Sequence, residues 1–116
     1  MKLKEIVEKL GLEVKSAPAQ LDNEVSGGYV SDLLSDVLAH SKVGNIWITL
    51  QTHQNIVAVA TLKELSGIII TNNRQVEEET QRKAEEERIP ILVTNASSFE
   101  IVGRLYQSGI TGEESI

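Results

Sequence analysis

Gly67-Ile68-Ile69-Ile70-Thr71 is an unbroken β-branched run between a glycine and a pair of asparagines. Such a run reads as a strand covered on both faces, the habit of parallel sheets, whose crossover helices shield both sides. Upstream, Asn45-Ile46-Trp47-Ile48-Thr49-Leu50 has the same character, and downstream so does Ile91-Leu92-Val93-Thr94. The 16 residues from 51 to 66 suit a helical crossover between parallel strands. We therefore expect a helix carrying Ile56 to Leu62, capped by Thr52 or Asn55, although its alternating β-branched residues would also suit a strand.

The same reading extends outward. Leu3, Ile6, Val7 and Leu10 mark an amphipathic helix closed by Gly11. Leu12 to Lys15 alternates as a first strand, and residues 16–24 form a loop containing Pro18. The pair Gly27-Gly28 precedes an expected helix with Ser31 as N-cap and Val30, Leu33, Leu34, Val37 and Leu38 inward, ending near His40. Asn72 or Asn73 opens a charged helix from about Gln75 to Arg88, and Pro90 ends that region. Ser97 or Ser98 caps a last helix with Phe99, Val102, Leu105 and Tyr106 inward, closed by Gly109. Strands alternating with helices predict an α/β fold: a mostly parallel sheet with βαβ crossovers and helices on both faces. Residues 1–110 are expected to form a single domain and 111–116 a frayed acidic tail.

Composition excludes several functions. The 116 residues include no cysteine, which removes disulfides, thiolate metal sites and cysteine nucleophiles and suits a reducing cytoplasm. Eleven Lys plus Arg against 17 Asp plus Glu leave a net charge of −6. With one Trp, two Tyr and one Phe, the chain offers nucleic acid neither a basic surface nor a stacking platform. No apolar run is long enough to span a bilayer, and the Met1-Lys2-Leu3-Lys4-Glu5 start has no secretory h-region.

In an open parallel sheet, ligands sit beyond the carboxyl ends of the strands. Those ends are Thr49, Gln51, Thr52, His53 and Asn55, then Thr71, Asn72, Asn73 and Arg74, then Thr94, Asn95 and Ser97. Free N–H groups at the following helix starts can meet an anion there, although Thr, Asn and Ser are also ordinary N-caps. Arg74 is the only cation in the three loops, and either a ligand partner or a solvated side chain. His53 is a neutral hydrogen-bonding group or a plain surface histidine; His40 suits terminal carbonyls. Gly27 and Gly28 either let backbone approach a phosphate or make a turn.

Neither a dinucleotide fingerprint nor a P-loop occurs, and no cofactor is expected. Glu77-Glu78-Glu79 and Glu85-Glu86-Glu87 fit a solvated helix with Glu78–Arg82 and Glu79–Lys83 pairs and a thin apolar line of Val76, Thr80 and Ala84. No metal-ligand spacing, serine elbow or strand-end carboxylate supports a metal site or acid–base catalysis. The Asn95-Ala96-Ser97 sequon, without a secretory signal, is a chance match. Because Val57, Ala58, Val59 and Ala60 make a helix apolar nearly all round, we expect a second cover from another subunit, a homodimer near residues 53–65.

The order Val25-Ser26-Gly27-Gly28-Tyr29-Val30-Ser31-Asp32-Leu33-Leu34, Trp47-Ile48-Thr49, Asn55 to Ala60, Gly67 to Thr71 and Ile89-Pro90-Ile91-Leu92-Val93-Thr94 resembles the DRTGG domain family. The likeness covers about residues 1–110. The string that names the family does not occur, and Gly27-Gly28 matches only its glycine pair. The resemblance implies a fold similar to the N-terminal domain of HPr kinase/phosphorylase and to the uridine-nucleotide-binding domain of Mur ligases. Family members accompany CBS domains in regulatory pyrophosphatases and occur in some phosphotransacetylases. It therefore implies a regulatory or dimerising module without catalytic residues, here a stand-alone copy. A small anionic or nucleotide-like ligand is the leading expectation. A protein–protein adaptor acting through the acidic helix is the alternative.

Overall fold

The computed structural model describes residues 1–112. Its elements run α1 (Leu3–Leu10), β1 (Glu13–Val14), a 3-10 turn (Pro18–Gln20), β2 (Gly27–Val30), α2 (Leu34–His40), β3 (Asn45–Thr49), α3 (Asn55–Lys63), β4 (Gly67–Ile70), α4 (Glu78–Glu87), β5 (Ile91–Val93) and α5 (Ser98–Gln107). The sheet order is β1-β5-β4-β3-β2. Strands β2 to β5 are parallel neighbours in chain order, and only β1 is antiparallel, pairing Glu13 with Val93.

Period-two alternation sorts the core into two layers. Ile46, Ile48, Ile69 and Leu92 face α1 and α5, where Leu3, Ile6, Ile101 and Leu105 meet them. Trp47, Ile68, Ile70 and Ile91 face the other way, against Val37, Ile56, Val57, Ala60 and Ala84 of α2, α3 and α4. Helices thus cover both faces, which is why the central strands carry no polar alternation. Each fully buried Ile or Leu contributes about 1.5–3 kcal/mol over leaving it in water.

Segment 56–62 is helical, and its apolar surround has an intramolecular cause. Ile56, Val57, Val59 and Ala60 are buried in the core layer shared with α2 and α4, so no second subunit is needed to cover them.

Several local expectations are corrected. Gly27 and Gly28 do not precede a helix; they form edge strand β2. Gly27 pairs with Asn45, the first residue of β3, and so lies at the strand starts, away from the carboxyl ends. A Cβ on Gly27 would stand 2.8 Å from the Thr111 carbonyl oxygen, and the Gly28 N–H donates to that oxygen at 3.0 Å. The glycine pair serves this close backbone approach. Of the expected tail, Thr111 and Gly112 are held by hydrogen bonds, and 113–116 lie outside the described residues.

Ser31 does not cap α2. Leu33 is the N-cap residue, and the Ser31 hydroxyl accepts from the Leu33 N–H at 3.1 Å in a turn. Val30 and Leu33 are exposed, because β2 runs through the residues expected to begin the helix. Neither Thr52 nor Asn55 caps α3, whose N-cap is Gln54 without a side-chain bond. On α5, Ile101 and Leu105 point inward while Phe99 and Tyr106 face solvent. Ser97 does cap α5, accepting from the Glu100 N–H at 3.2 Å. On α4 the pairs are Glu79–Arg82 and Lys83–Glu87, not Glu78–Arg82 and Glu79–Lys83.

Candidate functional site

Because β2 to β5 are parallel, their carboxyl ends share one rim. The loops 49–55, 71–74 and 94–97 meet there, at the ends of β3, β4 and β5. Chain β4→α4 leaves toward one face and β5→α5 toward the other, the arrangement that opens a crevice in α/β sheets. Here the two loops bond across it. The Asn72 N–H donates to the Ala96 carbonyl and the Asn73 N–H to the Thr94 carbonyl, each at 2.9 Å. The Thr71 and Ser98 hydroxyls are 2.7 Å apart.

The rim also holds a carboxylate that sequence reasoning missed. Asp32 follows the end of β2, and its Oδ1 accepts from the Thr49 hydroxyl at 2.8 Å and the Leu50 N–H at 2.7 Å. The Gln51 side-chain amide donates to the Asp32 carbonyl at 3.0 Å. The sequence does not mark Asp32 as a rim residue, because Gly27–Val30 does not read as a strand. The alternation Tyr29, Ser31 against Gly28, Val30 was the available signal, weakened by two glycines.

Most rim hydroxyls are engaged internally. Thr49 is buried against Asp32, and its Oγ1 accepts from the Gln51 N–H. The Thr94 hydroxyl accepts from the Ala96 N–H, and the Thr52 carbonyl accepts from the Thr80 hydroxyl at 2.7 Å. His53 Nδ1 accepts from the Asn55 N–H at 3.2 Å. Among the described residues His53 forms no ion pair with a carboxylate, and the Thr52 hydroxyl donates to Glu77 at 3.4 Å. Exposed groups on the rim include His53, Gln54, Asn55, Asn72, Asn73, Arg74 and Asn95.

Asn72 and Asn73 are not helix caps. Both adopt left-handed backbone, at φ 61° and 56°. Asparagine tolerates this conformation better than most residues. The turn displaces the start of α4 to Glu78 and projects Arg74 beside β1. There, two adjoining polar concavities of about 280 and 270 Å3 share Glu13, Asn73, Arg74 and Val93. Lys15, Gln75, Val76 and Gln81 complete one; Gly11, Thr94 and Asn95 complete the other. Sequence reasoning did not link β1 to this site, because the antiparallel pairing of β1 with β5 joins residues far apart in the chain.

A third concavity, about 360 Å3 and apolar, lies at the opposite edge between β2 and α5. Val30, Val102, Tyr106 and Ile110 line it. Nearby, the Tyr29 hydroxyl donates to Asp36 at 2.7 Å, and His40 Nδ1 lies 3.1 Å from the same carboxylate. The Tyr29 and Ser31 hydrogen bonds hold the Asp36 carboxyl below the usual carboxylate range, with His40 adding to this. Burial, then the Asp36 contact, pushes the Tyr29 phenol up. His40 thus meets a carboxylate rather than the helix-end carbonyls expected for it.

Among the described residues, no helix is long and apolar enough to cross a membrane, and no three His, Cys, Asp or Glu residues gather to hold a metal ion. The sequence matches the DRTGG domain over residues 5–108, and the chain belongs to that family. A solved relative in fold is the CBS and DRTGG regulatory region of Clostridium perfringens pyrophosphatase, complexed with its activator, diadenosine tetraphosphate. The two share 19% identity with a TM-score of 0.75, over 95% of this chain and 47% of that one. The chain therefore spans about half the length of that solved structure. No curated protein sequence matches.

Proposed function

We propose that this DRTGG domain is a non-catalytic regulatory module that senses a nucleotide or another small anion at the strand-end rim. The observation that carries this is the state of the rim's polar groups. Hydroxyls and Asp32 are occupied by one another, while Arg74 has no ion-pair partner among the described residues and stands beside exposed amides. Such a set recognises ligands; it lacks the paired acid and base that bond cleavage needs. The pyrophosphatase regulatory region, which answers to diadenosine tetraphosphate, supports the ligand class. The cysteine-free composition supports a cytoplasmic setting.

The test is thermal unfolding with AMP, ATP, diadenosine tetraphosphate, NADH and uridine nucleotides. A true ligand at 100-fold its dissociation constant adds about 2.7 kcal/mol of stability. A flat response to the whole panel would overturn ligand sensing.

One observation favours a second reading, a protein adaptor. Even with Glu79 paired to Arg82 and Glu87 to Lys83, five glutamates against two cations leave α4 net acidic, which suits a basic partner. Salt-sensitive capture of a basic protein, lost on reversing these charges, would support it. We also propose a homodimer, relocated from α3 to the β2–α5 side. There Val30 and Tyr106 are more than half exposed and Phe99 is 89% exposed.

A further inference from the structure

We propose that the polar trough at the β1–β5 edge binds the phosphate of a small hydroxylated phosphate ester through Arg74, without reading a nucleobase. This rests on the ligand-sensing function above and narrows it to one end of the rim and one ligand class.

Arg74 stands between the two adjoining concavities and lines both. Lys15, the other cation in the trough, is paired with Glu13 at 3.1 Å, whereas Arg74 forms no ion pair among the described residues. A guanidinium offers a planar fork of donors that matches phosphate oxygens with two parallel hydrogen bonds. Its backbone is held in advance: Asn72 and Asn73 are tied by their N–H groups to the carbonyls of Ala96 and Thr94. Little backbone ordering is left for binding to bring about.

The rest of the lining sets the class. Besides the Glu13 carboxylate, which Lys15 neutralises, Asn73, Gln75, Gln81 and Asn95 are amides, each able to donate to and accept from hydroxyl groups. Each concavity is slightly smaller than the roughly 300 Å3 at which ordinary small-molecule pockets begin. No aromatic residue lines either one. Trp47 is fully buried, Tyr29 and Tyr106 line the groove at the opposite edge of the sheet, and Phe99 lies on α5. A base held at Arg74 therefore has no ring to stack on. Phosphate and hydroxyl groups contribute the binding, and the base is left in solvent.

The experiment is calorimetric titration of the full chain with ribose 5-phosphate, AMP, UMP, adenosine and ribose, repeated on Arg74→Ala. Arg104→Ala, on α5 and outside the lining of both concavities, serves as the charge control. The three phosphate esters are expected to bind within about threefold of one another, and adenosine and ribose at least tenfold more weakly. Arg74→Ala should lose tenfold or more for every ester, while Arg104→Ala binds as the parent does. Nucleotide binding that persists in Arg74→Ala, or adenosine binding as tightly as AMP, overturns this proposal but leaves ligand sensing standing. If no ester binds the parent chain, this proposal fails, while ligand sensing falls only if the wider nucleotide panel is flat as well.

Discussion

Ser16 is buried to 1% exposure inside what reads, residue by residue, as a loop. Its hydroxyl donates to the Ile89 carbonyl at 2.7 Å and accepts from the Ile91 N–H at 2.8 Å, joining the strand entry to a segment more than 70 positions away. Replacing it leaves a buried donor and a buried acceptor unmatched. Ser16→Ala should cost about 1–3 kcal/mol in urea unfolding with an unchanged slope. A midpoint equal to the parent's would show that the hydroxyl is dispensable. Nothing around Ser16 in the chain announces this role, since serine beside Ala17 and Pro18 is ordinary loop composition. Asp32 is alike: its meaning comes from Thr49 and Leu50, which reach it only after β2 and β3 pair in register. Asn72 and Asn73 were legible as polar punctuation, but as caps rather than as the left-handed turn that aims Arg74.

Among the elements, legibility followed burial. Strands β3, β4 and β5 were read within a residue or so of their ends, because a strand buried on both faces leaves no polar position inside it. Strand β2 was missed. It lies at the sheet edge, carries two glycines and is only partly buried, so its pattern is diluted. Without it the expected start of α2 lies two residues early, and Val30 and Leu33 fall in a core they do not enter. The glycine at 27 belongs to this strand for a steric reason. Gly27→Ala would press a methyl group against the Thr111 carbonyl and displace the bond from Gly28. It should destabilise by about 1–3 kcal/mol in denaturant unfolding. A substitution without effect would mean that the 110–112 segment moves aside freely.

At the level of the whole molecule, the sheet order separates two surfaces. The β1 edge is polar and holds Arg74; the β2 edge is apolar and holds Val30, Val102 and Tyr106, with Phe99 one helical turn from Val102. Sedimentation velocity at micromolar concentration should give a species of twice the chain mass, and Phe99→Asp with Tyr106→Asp should return it to one chain. A single-chain species for the parent would remove the homodimer. If Leu62→Asp on α3, rather than the α5 pair, dissolves the dimer, the interface lies where the helix was first expected to meet its partner.

Periodicity alone carried the alternation of strands and helices and the two-sided burial of the central sheet. These are local quantities: each depends on which side of a residue meets water, and neighbours in the chain record that. Folding alone settled which polar groups meet. Pairing β1 with β5, β2 with β3 and the 71–73 turn with the 94–96 loop joins residues 18 or more positions apart. Register over such distances comes from packing the entire core at once, and no short window of the chain contains it.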